Sequence, residues 1–284
     1  MERIPHMRRP AVFAIAAAVL ASGVGLGVAQ ATRERPARPA AQPAGEAAIQ
    51  PAGKVPAVGW PLAFRDEFSG TKINRDKWSI HSNTEGDQCL GNKGNQQLEW
   101  HTWDNLRVGA GKLQMIARRN NPKPGYEWSG ALITTANTCG HGPKKEFQVQ
   151  PGDYLETRLM LPKASGFWPS TWTWNGNGSN EQDSYEYYSD NNRSLYLTNH
   201  QNNGHACTYR SPVDLTKGWH TIGELLGPKE TVWYLDGKEV CRGGSYSGKG
   251  AIVLDLFVYS KIPPKVNKGS MLVDFVHVHR KKKA

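Results

Sequence analysis

The chain has 284 residues, of which 38% are hydrophobic and 21% charged, and its formal net charge is +10. That composition excludes a collagen-like chain and wholesale disorder, and four cysteines without paired C-x-x-C spacing exclude a zinc ribbon. Neither a G-x-x-x-x-G-K-S/T loop nor a Rossmann glycine fingerprint is present, so nucleotide-driven chemistry has no support.

Residues 1–31 read as an export signal. Arg3, Arg8 and Arg9 precede a nearly uncharged run from Ala11 to Ala29, and Ala29-Gln30-Ala31 fits an A-x-A cleavage site. The run is almost long enough to span a bilayer, so an uncleaved N-terminal anchor is the alternative. The expected location is extracellular, either secreted or membrane-anchored outside the cell. Residues 32–58, rich in Ala, Pro and Arg, read as a disordered linker. Residues 59–280 form the body, and 281–284 are a basic tail. The two leading segments carry +2 each and Arg280 to Lys283 carry +4, which leaves +2 for residues 59–279. The excess charge is therefore in the tails, where it reads as solvated or as touching an anionic cell wall. No nucleic-acid-binding motif accompanies it.

An exported chain is permitted disulfides. Cys89, Cys139, Cys207 and Cys241 allow three pairings, of which Cys89 with Cys139 and Cys207 with Cys241 is favoured.

From residue 60 onward, short β-like runs alternate with Gly, Pro and Asn. They include Lys112 to Arg118, Tyr154 to Leu161, Ser194 to Asn199, Glu230 to Leu235, Ala251 to Tyr259 and Ser270 to Val278. Strict alternation over Met271 to Val278 puts Leu272, Asp274, Val276 and Val278 on one face and Met271, Val273, Phe275 and His277 on the other. Asp236-Gly237 is a hairpin signal. No long amphipathic helix is evident. Two stacked sheets are the economical way to bury these runs, so the expected fold is all-β, a β-sandwich of the jelly-roll type. Trp168, Trp172 and Trp174 share a face if extended, and Trp100 and Trp103 crowd a second segment. Aromatic planes of this kind either fill a core or pack on the C–H faces of sugars.

The most informative segment is Asn180-Glu181-Gln182-Asp183-Ser184-Tyr185-Glu186. On a regular strand Glu181 and Asp183 share a face and Glu186 points away. One inserted residue, a β-bulge near Tyr185, returns Glu186 to the first face. Three converging acids suit retaining glycoside hydrolysis, in which one carboxylate attacks the anomeric carbon and another protonates the leaving oxygen. A third carboxylate nearby helps keep the acid protonated. Without the bulge the segment is a solvated acidic strand.

Glu181-Gln182-Asp183-Ser184-Tyr185-Glu186 fits the E-x-D-x-x-E signature of glycoside hydrolase family 16, and the segment resembles the laminarinase-like β-jelly-roll enzymes of that family. Asp66-Glu67-Phe68-Ser69-Gly70 with Trp78 resembles the opening strand of the family. Asn105-Leu106-Arg107-Val108 before Gly111-Lys112-Leu113, and Glu156-Thr157-Arg158 before Trp168-Pro169-Ser170-Thr171-Trp172, match further segments in the same order. The resemblance covers roughly 60–280 and implies a sandwich of the concanavalin A-like lectin/glucanase type. It implies Glu181 as nucleophile, Glu186 as general acid/base and Asp183 as assisting carboxylate. Asn105, Arg158, Trp168, Trp172 and His200 would contact substrate. The implied activity is endo-hydrolysis, with retention, of a β-1,3- or β-1,3/1,4-glucan, or of a galactan. It implies a polysaccharide partner, a monomer, no organic cofactor and no catalytic metal, although a structural Ca²⁺ is common in the family.

Gln182 and Ser184 stand where the family has apolar residues, Leu225-Leu226 where it has Glu-Trp, and Asp255 where it has Asn. A transglycosylase would use the same acids, and a non-catalytic carbohydrate-binding protein the same fold. A lyase would need a base-acid pair such as His200-Gln201 with Tyr209-Arg210, for which no motif is present. His81, His101, His141, His220, His277 and His279 read as surface or strand residues, without an H-E-x-x-H zinc signature.

Overall fold

The computed structural model describes residues 55–81, 86–137, 139–176, 178–201 and 204–282. The export segment, nearly all of the linker and the last two residues of the tail lie outside them. Among the described residues there are sixteen strands, three short 3-10 turns and no α-helix. In chain order the strands are β1 (Leu62–Asp66), β2 (Glu99–His101), β3 (Leu106–Gly109), β4 (Lys112–Lys123), β5 (Tyr126–Thr134), β6 (Gln148–Val149), β7 (Tyr154–Met160) and β8 (Phe167–Trp174). They continue as β9 (Gln182–Glu186), β10 (Ser194–Asn199), β11 (His205–Arg210), β12 (His220–Leu225), β13 (Thr231–Leu235), β14 (Lys238–Gly243), β15 (Gly250–Val258) and β16 (Lys268–His279).

The main hydrogen-bonded ladder runs β11-β10-β9-β8-β15-β5-β4-β16-β7-β12-β13-β14. β5 turns it over: its end pairs with β15 across Ala131 to Thr134, and its start pairs with β4 from Tyr126 to Ser129. Two layers result, folded face to face as the alternating patterns require. Leu155, Leu159, Ile222, Trp233 and Met271 from one layer meet Tyr185, Leu197, Ile252, Leu254 and Leu256 from the other in one apolar core. The expected jelly-roll sandwich is observed.

Three local features follow from short-range chemistry. Asp236 (φ 50°) and Gly237 (φ 77°) make the tight turn between β13 and β14, both in the left-handed region that a two-residue hairpin demands. Cys89–Cys139 and Cys207–Cys241 are both disulfide-bonded. The second bond joins β11 to β14, the two ends of the ladder, and so closes the sandwich at its open edges.

Two boundaries differ from expectation. Ala57, with Val55 beside it, packs on Tyr154, Val232 and Tyr234, so the packed body begins ahead of residue 59. In β16 the register shifts between Val273 and Phe275. Met271 and Val273 therefore share the core with Val276 and Val278, while Phe275 and His277 leave the face that strict alternation gave them. A bulge inverts every later side chain, and the apolar core selects the register that buries the valines.

Candidate active site

β9 lies between β8 and β10, and both ladders record the same irregularity. Against β8, Glu186 faces Ser170 and Tyr185 faces Thr171, but Asp183 already faces Trp172. Against β10, Glu186 faces Tyr196 and Asp183 faces Thr198. One residue, Ser184, is extra on β9, which is the signature of a β-bulge. Ser170 and Trp172 share a face of β8, as Tyr196 and Thr198 share one of β10. Asp183 and Glu186 therefore point the same way, outward from the layer. Glu181 stands just before the strand, its N–H bonded to the Gly178 carbonyl at 3.4 Å.

His200, just after β10, gathers these acids. Its Nε2 is 2.9 Å from Asp183 Oδ2 and 3.9 Å from Glu181 Oε1, and its own N–H donates to the Glu181 carbonyl at 3.2 Å. Burial alone would lower the imidazole. The hydrogen bond to Asp183, with the negative charges of Asp183, Glu181 and Glu186, outweighs burial and pushes it up to about 9. The site at neutral pH thus carries an imidazolium against three acids. The Tyr188 hydroxyl donates to Glu186 Oε1 at 3.3 Å. Glu186 and Asp183 are 6% and 5% exposed, so both acids sit in a largely dry wall.

The other face of the bulge is also polar. Gln182 Nε2 and Ser184 Oγ each donate at 2.5 Å to the carboxyl of Glu224, on β12 of the opposite layer. Glu224 is fully buried, and burial pushes it up to about 8 despite these hydrogen bonds. The Trp233 indole N–H on neighbouring β13 donates to the Asp183 backbone carbonyl at 2.9 Å. The catalytic-strand candidates are thus held from below by three polar contacts across the core. Gln182 and Ser184, polar where apolar residues were expected, find their partner here.

An aromatic floor continues the outward face. Trp168, Trp172 and Trp174 pack with Leu132, Val253 and Phe257. The Trp172 indole N–H donates to Asp255 at 2.7 Å, as does the Ser170 hydroxyl. Burial raises Asp255 well above the ordinary carboxylate range even so. Trp168 stacks on Tyr188, centroids 5.1 Å apart, and meets Phe257 edge-on. The indole N–H groups of Trp168 and Trp174 are buried and have no acceptor among the described residues. His101, read from sequence as a surface or strand residue, is 1% exposed and stacks on Phe257.

The expected site residues separate into two groups. Glu181, Asp183, Glu186 and His200 are in one cluster, with Trp168 and Trp172 on the same face beside it. Asn105 is buried, its amide engaged with Ser129 and its carbonyl with Arg118, and neither partner is one of the acids. Arg158 is on the far side of the sandwich: it ion-pairs with Asp274 and covers Trp219, on the outer face of the opposite layer. Its neighbours Leu155, Thr157 and Leu159 point inward, so period two turns Arg158 out and away from the acids. Tyr188, Trp174, Phe257 and Glu224 were not singled out as site residues. The polar Gln182 and Ser184 were the signal for Glu224, and the face shared with Trp168 and Trp172 was the signal for Trp174; Tyr188 and Phe257 had none beyond composition.

Among the described residues two side-chain clusters could share an ion, Glu181-Asp183-His200 and Glu156-His277-His279; a third grouping, His205-Cys207-Cys241, has both cysteines tied up in a disulfide. Each contains histidine or cysteine, whereas Ca²⁺ takes oxygen ligands, so none fits the structural calcium that the resemblance allowed.

No protein-family model matches the chain. It is 27% identical over 128 residues to the endo-1,3-1,4-beta-glycanase ExsH of Rhizobium meliloti (strain 1021), covering 43% of this chain and 26% of that protein. The chain spans 26% to 34% of the length of the curated relatives it matches. Among solved structures, the endo-beta-1,3-glucanase from Pyrococcus furiosus superposes with a TM-score of 0.66 at 22% identity, over 79% of this chain and 96% of that one. A non-specific endo-beta-1,3(4)-glucanase from glycoside hydrolase family 16, with an oligosaccharide at its active site, superposes with a TM-score of 0.69 at 18% identity, over 82% and 99%. In fold this chain is similar to the laminarinase-like β-jelly-roll enzymes of glycoside hydrolase family 16.

Proposed function

We propose that the chain is an exported, retaining endo-glycosidase acting on internal β-linkages of a polysaccharide, with β-1,3- or mixed β-1,3/1,4-glucan as substrate ahead of galactan. The observation that carries this reading is the extra residue at Ser184, which turns Asp183 and Glu186 to one face beside Glu181. The names of the related glucanases and the aromatic floor agree with a sugar substrate.

In the proposed reaction Glu186, in its acid form, gives its proton to the glycosidic oxygen. A carboxylate oxygen of Glu181 attacks the anomeric carbon, the bond to the leaving sugar breaks, and a glycosyl ester forms. Water then attacks the same carbon while Glu186 takes its proton, the ester bond to Glu181 breaks, and the configuration is restored. Asp183, hydrogen-bonded to His200, is the assisting carboxylate beside the two glutamates. Trp168, Trp172 and Trp174 offer planes for sugar rings. The chain is taken to act as a monomer without a cofactor.

The test is reducing-end release by the full chain over laminarin, lichenan, agarose, carrageenan and alginate, with Glu181→Gln beside it. Activity on one neutral glycan, lowered at least ~10²-fold in Glu181→Gln, with the β-anomer formed first by NMR, is the expected result. Unsaturated ends on alginate, or binding without cleavage, would replace the reading by a lyase or a binding protein.

A further inference from the structure

A second cluster of side chains lies on the outer face of the layer that carries β7 and β16, where Arg158 also points. His277 and His279 alternate on β16, and Glu156 of β7 is the register partner of His277. Glu156 Oε1 is 3.5 Å from His277 Nδ1 and 3.0 Å from His279 Nε2. The opposite nitrogen of each ring has its own acceptor: His277 Nε2 is 2.7 Å from Glu67 Oε1, and His279 Nδ1 is 3.3 Å from the Trp60 carbonyl. A carbonyl only accepts, so the His279 proton sits on Nδ1 and its Nε2 lone pair faces Glu156. A carboxylate only accepts as well, so the Glu67 contact directs the His277 proton to Nε2 and leaves Nδ1 open. Two imidazole lone pairs then aim at one carboxylate oxygen. A shared cation at the centre, or a second proton on each ring, removes the repulsion between them.

We propose that Glu156, His277 and His279 form a binding site for a divalent transition metal of the Zn²⁺ class. Donor chemistry and spacing agree. Imidazole with carboxylate suits Zn²⁺ and its neighbours and not Ca²⁺ or Mg²⁺. Zn–N and Zn–O bonds of ~2.0–2.1 Å at tetrahedral angles set neighbouring ligand atoms ~3.3–3.4 Å apart. The separations of 3.0 and 3.5 Å bracket that edge, and all three donor atoms lie within 4.8 Å of one another. Glu67 and the Trp60 carbonyl act as the outer acceptors that orient metal-bound histidines. The side chains are 16–18% exposed, which leaves the fourth position to water. The metal would clip β7 to β16 and, through Glu67, the end of β1 to both.

The experiment strips the full chain with a chelator and titrates Zn²⁺ by calorimetry. Co²⁺ is then added to read the tetrahedral visible absorption. One equivalent bound per chain is expected, with at least tenfold weaker binding and no Co²⁺ band in His279→Gln and Glu156→Gln. Glu67→Ala should weaken binding ~10–100-fold, because only the outer acceptor is lost. Zn²⁺ should raise the melting temperature of the unsubstituted chain and not that of His279→Gln, whose metal-free melt and far-UV spectrum report its folding. His200→Gln should bind like the unsubstituted chain. Absence of stoichiometric binding, unchanged binding in His279→Gln, or loss in His200→Gln would overturn the proposal.

Discussion

Glu224 gives the sharpest test of how the catalytic-strand candidates are held. Its carboxyl is sealed between the layers, accepts from Gln182 and Ser184, and is pushed by burial from 4.5 to about 8. The charge of Asp183, on the other face of β9, adds to the rise, and Tyr246 is also within the field of Glu224. In the unfolded chain the same acid titrates at its ordinary value. Between pH 4.5 and 8 the folded chain therefore keeps a proton that the unfolded chain has lost. Stability from this group is complete below 4.5 and falls as pH rises through about 8. The slope approaches ~1.4 kcal/mol per pH unit, so the whole window amounts to roughly 5 kcal/mol.

Glu224→Gln removes the titration and keeps the shape. The substituted carbonyl still accepts from Ser184, and the new amide N–H can meet Gln182 Oε1, which has no partner among the described residues. Urea unfolding followed by tryptophan fluorescence at pH 5, 6, 7 and 8 reads the difference directly. The variant should gain steadily on the unsubstituted chain as pH rises, while turnover on glucan changes little. Glu224→Ala strands Gln182 and Ser184 in a dry core at about 1–3 kcal/mol each, and should lower turnover by loosening the bulge. Parallel pH curves for the unsubstituted chain and Glu224→Gln would refute the reasoning.

Two further outcomes follow from the same geometry. His200, held at about 9 against an ordinary 6.5, contributes stability that is complete below pH 6.5 and lost as pH rises through 9. Melting temperatures should show that decline and His200→Gln should flatten it; an identical decline in both would sink the assignment. Trp172→Phe removes one of the side-chain donors to buried Asp255, so it should cost about 1–3 kcal/mol of stability. It should also raise KM for glucan more than it lowers kcat, since the proposed function gives this ring to sugar packing; a loss confined to kcat would contradict that role.

What the sequence determined was local and periodic. Alternation marked the strands, Asp236-Gly237 marked a tight hairpin, and three acids within six residues marked a candidate site whose convergence required one inserted residue. These signals depend on neighbours along the chain, where side-chain direction is set by backbone period. Tertiary structure decided which residues meet. It placed the extra residue at Ser184, and a second slip in β16 moved Val276 and Val278 into the core against strict alternation. It turned Arg158 to the opposite outer face, and set Glu224 of one layer beneath Gln182 and Ser184 of the other. A one-residue slip reverses every later side chain, and its location is chosen by the packing of strands far apart in sequence. Period alone carries no record of that choice; the core that forms between the layers makes it.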